Sequence, residues 1–151
     1  MKRNIFVPSR PSGDRRTPKN LPEVRESVMV ERSLISVVDD DESVRESLPD
    51  LLGEFDYATR AFSSAEQFLA SDCVGQTRCL IVDISMSGMT GPDLQRELGL
   101  RRLDIPIIFI TAYEDGNMFA RLIERGAACC LIKPFSDTEL RQALNTAFGE
   151  R

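Results

Sequence analysis

The chain has 151 residues, of which 42% are hydrophobic and 28% charged, and its formal net charge is −5. These values are ordinary for one soluble globular domain, and they exclude a wholly disordered chain. No apolar run approaches the roughly 18 residues of a membrane-spanning helix, and the first residues are too polar for a secretory signal. We therefore expect a cytoplasmic protein with no membrane partner.

The chain contains no histidine, which excludes Ser-His-Asp and Cys-His catalytic groups as well as histidine-ligated zinc. The four cysteines have no CxxC spacing, and we interpret them as free thiols: Cys73, Cys79, Cys129 and Cys130. Acid chemistry and metal binding therefore depend on carboxylates.

Residues 1–32 differ in composition from the rest of the chain. They hold eight Lys/Arg residues, four Asp/Glu residues and four of the eight prolines, without apolar periodicity. This composition predicts a flexible basic arm, followed by one domain over residues 33–151. The arm lacks the interleaved aromatic residues of a nucleic-acid-binding segment, so we expect no direct binding to nucleic acid.

From Leu34 onward, short apolar runs alternate with amphipathic segments, a pattern typical of an α/β fold with a parallel sheet. The strand-like runs are 34–38, 57–61, 79–82, 107–110 and 129–132. The helix-like segments are 43–54, 64–71, 91–100, 117–126 and 136–148, and Ser43 with Glu46 predicts a capping box at the first of them. The first, third and fourth runs are the most hydrophobic, which favours the centre of the sheet, whereas the second is placed at an edge.

Residues of the kinds found in binding and catalytic sites, together with one alanine, follow four of these runs. They are Asp39 and Asp40 after the first run, Asp83 after the third, Thr111 and Ala112 after the fourth, and Lys133 after the fifth. Each has an ordinary structural use on its own, as a helix cap, a turn residue or a surface charge. Because ligands of open parallel sheets collect at the carboxyl ends of the strands, their joint placement predicts a site.

The three carboxylates of this set repel one another. At about 5 Å, each ionised pair costs on the order of 3 kcal/mol at an effective dielectric constant of 20, so the cluster requires a cation. Carboxylates, a loop carbonyl and water are typical ligands of Mg²⁺, which keeps positions open for phosphate oxygens. Together with the Lys133 ammonium and the Thr111 hydroxyl, they suit phosphoryl transfer to Asp83 as the nucleophile.

These motifs resemble the receiver domain of bacterial two-component response regulators. The resemblance covers roughly residues 33–148 and rests on segments 37–42, 80–91, 108–112 and 133–135. It implies a flavodoxin-like, doubly wound (βα)₅ fold with strand order 2-1-3-4-5 and a cis peptide bond between Lys133 and Pro134.

The resemblance also implies a role for each site residue. Asp83 is the phosphoacceptor, and Mg²⁺ is bound by Asp39, Asp40, Asp83 and the backbone carbonyl of Ser85. Thr111, Ala112 and Lys133 are the phosphoryl-binding and switch positions.

Two positions depart from the family pattern. Ser87 stands where family members usually have proline, which predicts a less rigid loop after Asp83. Cys130 stands at a switch position that is commonly Tyr or Phe. We expect both changes to alter how the signal is transmitted and to leave the phosphoryl chemistry intact.

The predicted function is that of a single-domain response regulator, phosphorylated on Asp83 by a partner histidine kinase in a Mg²⁺-dependent reaction. Because the chain stops soon after the last helix, we expect no output domain. The output then passes through an unidentified downstream protein, a homodimer or passive phosphate storage. Such a protein is not an enzyme beyond self-phosphorylation from small donors and autodephosphorylation.

Two alternatives stay open. The first is a degenerate receiver that binds a partner protein without being phosphorylated. The second is a Mg²⁺-dependent phosphatase with Asp83 as nucleophile, which normally carries a second Asp two residues on, where this chain has Ser85.

Overall fold

The computed structural model describes residues 32–149, so most of the predicted basic arm lies outside the described residues. The five strands are β1 (Leu34–Val38), β2 (Ala58–Phe62), β3 (Thr77–Asp83), β4 (Ile107–Thr111) and β5 (Cys129–Ile132). The five α-helices are α1 (Glu42–Glu54), α2 (Ala65–Ala70), α3 (Gly91–Leu100), α4 (Gly116–Glu124) and α5 (Asp137–Ala147). A short 3₁₀ helix, Val74–Gln76, precedes β3. Within residues 32–149, no helix is long and apolar enough to cross a membrane.

The strands form one parallel sheet in the order β2-β1-β3-β4-β5. This order confirms the (βα)₅ fold that the sequence predicts, with the three most hydrophobic strands in the centre. All five residues of β4 are buried, as expected for a strand covered by helices on both faces. The reversal of strand order on either side of β1 creates the switch point at which such sheets bind ligands.

Alternating side chains of the strands divide the core into two layers. Val82 of β3 and Phe109 of β4 face the layer that contains Phe68 of α2 and Leu94 of α3. Neighbouring residues of the same strands, such as Ile81 and Ile110, face the opposite layer with α1 and α5. This alternation follows from the two-residue period of a strand, and it buries both faces of the central strands.

Side-chain caps determine where the helices begin. Helix α1 begins after Asp41, whose carboxylate accepts the Ser43 backbone N–H, so the capping box predicted at Ser43 is wrong. Asp and Ser are equally good caps, and the extended backbone of Asp41, three residues after the end of β1, decides between them. Capping boxes occur instead at Thr90 in α3 and Ser136 in α5.

Strand β3 begins two residues earlier than the apolar pattern predicts. The polar residue Thr77 is buried there because its hydroxyl contacts the Ser36 hydroxyl at 2.7 Å and donates to the Cys73 carbonyl at 2.7 Å. The strand continues to Asp83, so this carboxylate is held by the sheet itself.

Candidate functional site

The sheet brings the predicted polar residues together at the carboxyl end of its strands. Asp39 directly follows β1, Asp83 ends β3, Thr111 ends β4 and Lys133 directly follows β5. The parallel register places Asp83 beside Ile110, one residue before Thr111, which in turn lies beside Ile132. Four strands therefore deliver these residues to the same edge.

Lys133 joins two of the carboxylates. Its Nζ atom donates to Asp39 Oδ2 at 3.1 Å and to Asp83 Oδ2 at 3.2 Å. Asp39 is fully buried and Asp83 is 7% exposed, so these ion pairs are shielded from solvent. The Lys133–Pro134 peptide bond is cis, as the resemblance implies.

The pKa values of Asp39 and Lys133 depend on their burial and on their hydrogen bonds and charge interactions. Burial raises the pKa of Asp39 above its ordinary value, although hydrogen bonds from the Asp41 N–H and from Lys133 oppose the effect. Burial alone would lower the pKa of Lys133, but its hydrogen bonds and charge interactions with Asp39 and Asp83 raise it. Lys133 therefore stays protonated at neutral pH.

The acidic cluster fits a divalent cation. Oxygen atoms of Asp39, Asp40 and Asp83 lie within 4.8 Å of one another, and no other such group of three occurs among residues 32–149. Lys133 provides one positive charge against three carboxylates, which leaves an excess of negative charge in a largely buried place. Hard carboxylate oxygens at this spacing suit Mg²⁺, so the residues present fit the cofactor that the sequence predicts.

The loop after Asp83 forms one wall of the site. The Ser85 backbone N–H donates to Asp83 Oδ1 at 3.1 Å, which orients this carboxylate from the side opposite Lys133. A pocket of about 530 Å³ adjoins the loop and is lined by Asp40, Ser85, Ser87, Met86 and Met118, among others. Of the three clustered carboxylates, only Asp40 lines this pocket.

The switch positions lie on the β4 and β5 side of the site. Thr111 is buried, and its hydroxyl accepts the Tyr113 backbone N–H at 3.2 Å, whereas Ala112 is exposed. Cys130 of β5 is half-buried and lies beside Phe109 of β4. Burial, together with the neighbouring Cys129, raises the pKa of the Cys130 thiol to about 11, so the thiol is neutral. All four cysteines are free, as predicted.

One residue of the site was not predicted. Arg45, in the first turns of α1, donates through Nη1 to the backbone carbonyl of Asp39 at 3.0 Å. This contact places a second positive side chain near the acidic cluster and secures the backbone that carries Asp39. The sequence offers no signal for it, because an arginine early in an amphipathic helix is ordinarily a surface residue.

The chain is similar to a known family and to several of its members. Residues 35–145 match the response regulator receiver domain family. The transcriptional regulatory protein TdiR of Thauera aromatica is 39% identical over 117 residues, which cover 78% of this chain and 52% of TdiR. Nodulation protein W of Bradyrhizobium diazoefficiens is 40% identical over 116 residues, covering 77% of this chain and 51% of that protein. The chain therefore spans about half the length of these relatives.

Solved structures agree with this match. The crystal structure of FixJ-N superposes with a TM-score of 0.70 at 34% identity, covering 81% of this chain and 98% of that one. The response regulator StyR superposes with a TM-score of 0.72 at 38% identity, covering 79% of this chain and 60% of that one.

Proposed function

Because the chain belongs to the response regulator receiver family, whose domains are phosphorylated in two-component signalling, we propose that Asp83 accepts the phosphoryl group from a histidine kinase with Mg²⁺ as cofactor. One observation carries the choice of Asp83. Of the three clustered carboxylates, only Asp83 combines a contact with Lys133 and some solvent exposure. Asp39 contacts Lys133 but is fully buried, and the exposed Asp40 has no hydrogen bond to Lys133.

The proposed reaction is a displacement at phosphorus. A carboxylate oxygen of Asp83 forms the new P–O bond, the bond from phosphorus to the donor breaks, and the electron pair leaves with the donor nitrogen or oxygen. Lys133 already lies 3.2 Å from Asp83 Oδ2, so its ammonium offsets the charge that the acyl phosphate adds. The Thr111 hydroxyl at the end of β4 is the donor proposed for a phosphoryl oxygen.

Asp39, Asp40, Asp83 and the Ser85 carbonyl are the residues proposed to hold Mg²⁺. When bound, the ion supplies positive charge that offsets the charge of the phosphoryl oxygens. The protein then contributes position and charge, and its turnover is limited to phosphoryl acceptance and self-dephosphorylation.

We propose that phosphorylation is read by another protein. Two large hydrophobic side chains remain exposed beside the switch positions in the sequence: Tyr113, which follows Ala112, is 76% exposed, and Ile132, which precedes Lys133, is 37% exposed. Exposed apolar side chains next to a group that gains charge are suited to a protein contact that depends on phosphorylation.

The test is incubation of the protein with Mg²⁺ and a small acyl-phosphate donor, followed by intact-protein mass measurement. We expect one phosphoryl group on the wild type, none when Mg²⁺ is chelated and none on Asp83→Asn. The matched control is Asp104→Asn, an exposed carboxylate outside the site, which should be labelled like the wild type.

Each other result has a defined meaning. Undiminished labelling of the Asp83→Asn variant would contradict the assignment of the phosphoacceptor. Labelling in the presence of a chelator would contradict the role of Mg²⁺. If the wild type is never labelled, the proposed phosphoryl acceptance is contradicted, and the alternative of a receiver that binds a partner without being phosphorylated is favoured.

A further inference from the structure

The loop that joins β3 to α3, residues 84–90, carries the proposed Ser85 ligand of Mg²⁺. Its first part is attached to the sheet, since the Ile84 N–H donates to the Ile110 carbonyl at 2.9 Å. The Ser85 N–H donates to Asp83, and Met86 is buried in the core. The shape of the remaining part, around Ser87 and Gly88, depends on other contacts.

Glu66 holds the tip of this loop from a separate helix. Its Oε2 atom accepts the Met89 backbone N–H at 3.0 Å, although the two residues are 23 positions apart. Glu66 is the second residue of α2, and that helix is secured at its start because the Ser64 side chain accepts the Gln67 N–H. Helix α2 is packed on the core through Phe68, so the carboxylate extends from a fixed base.

The residue next to Met89 is adapted to this contact. Gly88 has a φ of +73°, and a Cβ atom at this position would lie 2.9 Å from Glu66 Oε2. Glycine therefore permits both the left-handed turn and the close approach of the carboxylate. A side chain at position 88 would displace Glu66 from Met89.

We propose that Glu66 is a positioning residue, which holds the loop in the conformation that Mg²⁺ binding requires. The inference rests on the proposed function, because it concerns the loop that supplies the Ser85 carbonyl. Ser87 does not restrict the backbone as a proline would, so the contact with α2 is one of the constraints that order the loop, beside the Gly91 N–H that donates to the Ile84 carbonyl at 3.2 Å. A loop that is ordered before the ion arrives loses less conformational entropy on binding, and the affinity rises accordingly.

The test is a calorimetric titration of the full chain with Mg²⁺ alone. We expect Glu66→Ala to weaken Mg²⁺ affinity about 3- to 10-fold, the range for loss of one hydrogen bond. Glu66→Gln should stay within about 2-fold of the wild type, because its amide oxygen still accepts the Met89 N–H. Glu54→Ala, which removes an exposed glutamate at the far end of α1, is the control for a general loss of negative charge.

Two further measurements separate this role from a general effect on stability. Hydrogen exchange at the Met89 amide should accelerate in Glu66→Ala and not in Glu66→Gln. Gly88→Ala should weaken Mg²⁺ affinity in the wild type and weaken it less in the Glu66→Ala background, because the displaced contact is already gone. The strain of a positive φ is present in both backgrounds and cancels in this comparison.

The outcomes distinguish this inference from the proposed function. If the wild type binds Mg²⁺ and Glu66→Ala binds it equally well, the positioning role is overturned and the proposed function stands. If Glu66→Ala and Glu66→Gln weaken binding equally, charge and not the hydrogen bond is responsible, and the positioning role is again overturned. If the wild type does not bind Mg²⁺, both are overturned.

Discussion

Lys133 forms ion pairs with both Asp39 and Asp83. Its ammonium lies 3.1 Å from one carboxylate and 3.2 Å from the other, and its side chain is only 19% exposed. It therefore stabilises two acidic groups that would otherwise repel each other at close range. If the proposed function is correct, these contacts would make Lys133 compete with the metal ion for carboxylate oxygens and pair with the phosphoryl group.

This competition leads to a prediction for Lys133→Met. Mg²⁺ affinity should stay unchanged or become up to several-fold tighter, because a competing positive charge is removed. The response to phosphorylation, measured as changes in amide exchange across residues 112–140, should be largely lost, because no ammonium pairs with the phosphoryl group. The control is Arg78→Met, which removes an exposed positive charge at the start of β3. A collapse of Mg²⁺ affinity in Lys133→Met would show that Lys133 has a structural role instead.

Asp39 makes folding stability dependent on pH. Its pKa is raised, chiefly by burial, so the folded protein binds this proton more tightly than the unfolded chain does. A carboxyl group of this kind favours folding below its ordinary pKa, and the benefit is lost as the pH rises through the raised value. At neutral pH the ionised Asp39 carboxylate therefore lowers the free energy of unfolding.

Asp39→Asn should remove this cost. In Mg²⁺-free buffer at neutral pH, we expect the variant to be more stable than the wild type by on the order of 1 kcal/mol, a typical size for one substitution. The difference in free energy of unfolding between the variant and the wild type should narrow as the pH falls through the raised pKa of Asp39, because the wild-type carboxyl then becomes neutral. Urea unfolding across this pH range measures the difference. A wild type that is more stable than the variant at neutral pH would contradict the sign.

At the scale of elements, we expect β5 and the end of β4 to carry the response to phosphorylation from the site to the surface. Cys130 of β5 lies beside Phe109 and is half-buried, while Tyr113, two residues after Thr111, is 76% exposed. A thiol buries little additional surface when it changes position, whereas an aromatic ring buries roughly 150–250 Å² when it turns inward. Since a modification shifts an equilibrium only through different interactions in the two states, Tyr113 is better suited than Cys130 to respond.

We therefore predict opposite effects of two substitutions. Cys130→Tyr should increase the amide-exchange changes that phosphorylation causes across residues 112–140, and Tyr113→Ala should reduce them, each by about 2-fold or more on the scale of aromatic burial. Cys129→Ala is the matched control, because neighbouring strand residues point to opposite faces of the sheet. A rearrangement that is insensitive to both substitutions would show that neither side chain transmits the signal.

At the scale of the whole molecule, the proposed metal site connects β1 and β3, two central strands of the sheet. A ligand that binds only the folded chain stabilises all of it, because the acidic cluster does not exist when the strands separate. Metal binding is therefore measurable as global stability, without any assay of phosphorylation.

Mg²⁺ at about 100 times its dissociation constant should add about 2.7 kcal/mol to the free energy of unfolding. For a domain of this size, this corresponds to a rise in Tm of roughly 5–15 °C, measured by thermal unfolding monitored by circular dichroism. NaCl at matched ionic strength should give a clearly smaller shift, and Asp83→Asn should reduce the effect of Mg²⁺. An equal Tm in saturating Mg²⁺ and in matched NaCl would contradict binding at this cluster.

The elements themselves were largely predictable because their signals are local. Apolar runs located all five strands, and β1 and β5 begin and end where the pattern places them. The boundaries that shifted did so for tertiary reasons, as at Thr77, which joins β3 because the buried Ser36 hydroxyl is its partner. The predicted start of α1 was one residue too late, because two equally good capping residues, Asp41 and Ser43, occur close together.

The sequence by itself determined which residues reach the carboxyl edge of the sheet, because the alternation of strands and helices places every strand end there. The pairing among these residues was decided only by the tertiary structure. Lys133 lies 94 positions from Asp39, and Glu66 lies 23 positions from Met89, so no local pattern connects the members of either pair. Such contacts exist only after helices pack on both faces of the sheet and bring distant backbone and side-chain atoms within hydrogen-bonding distance.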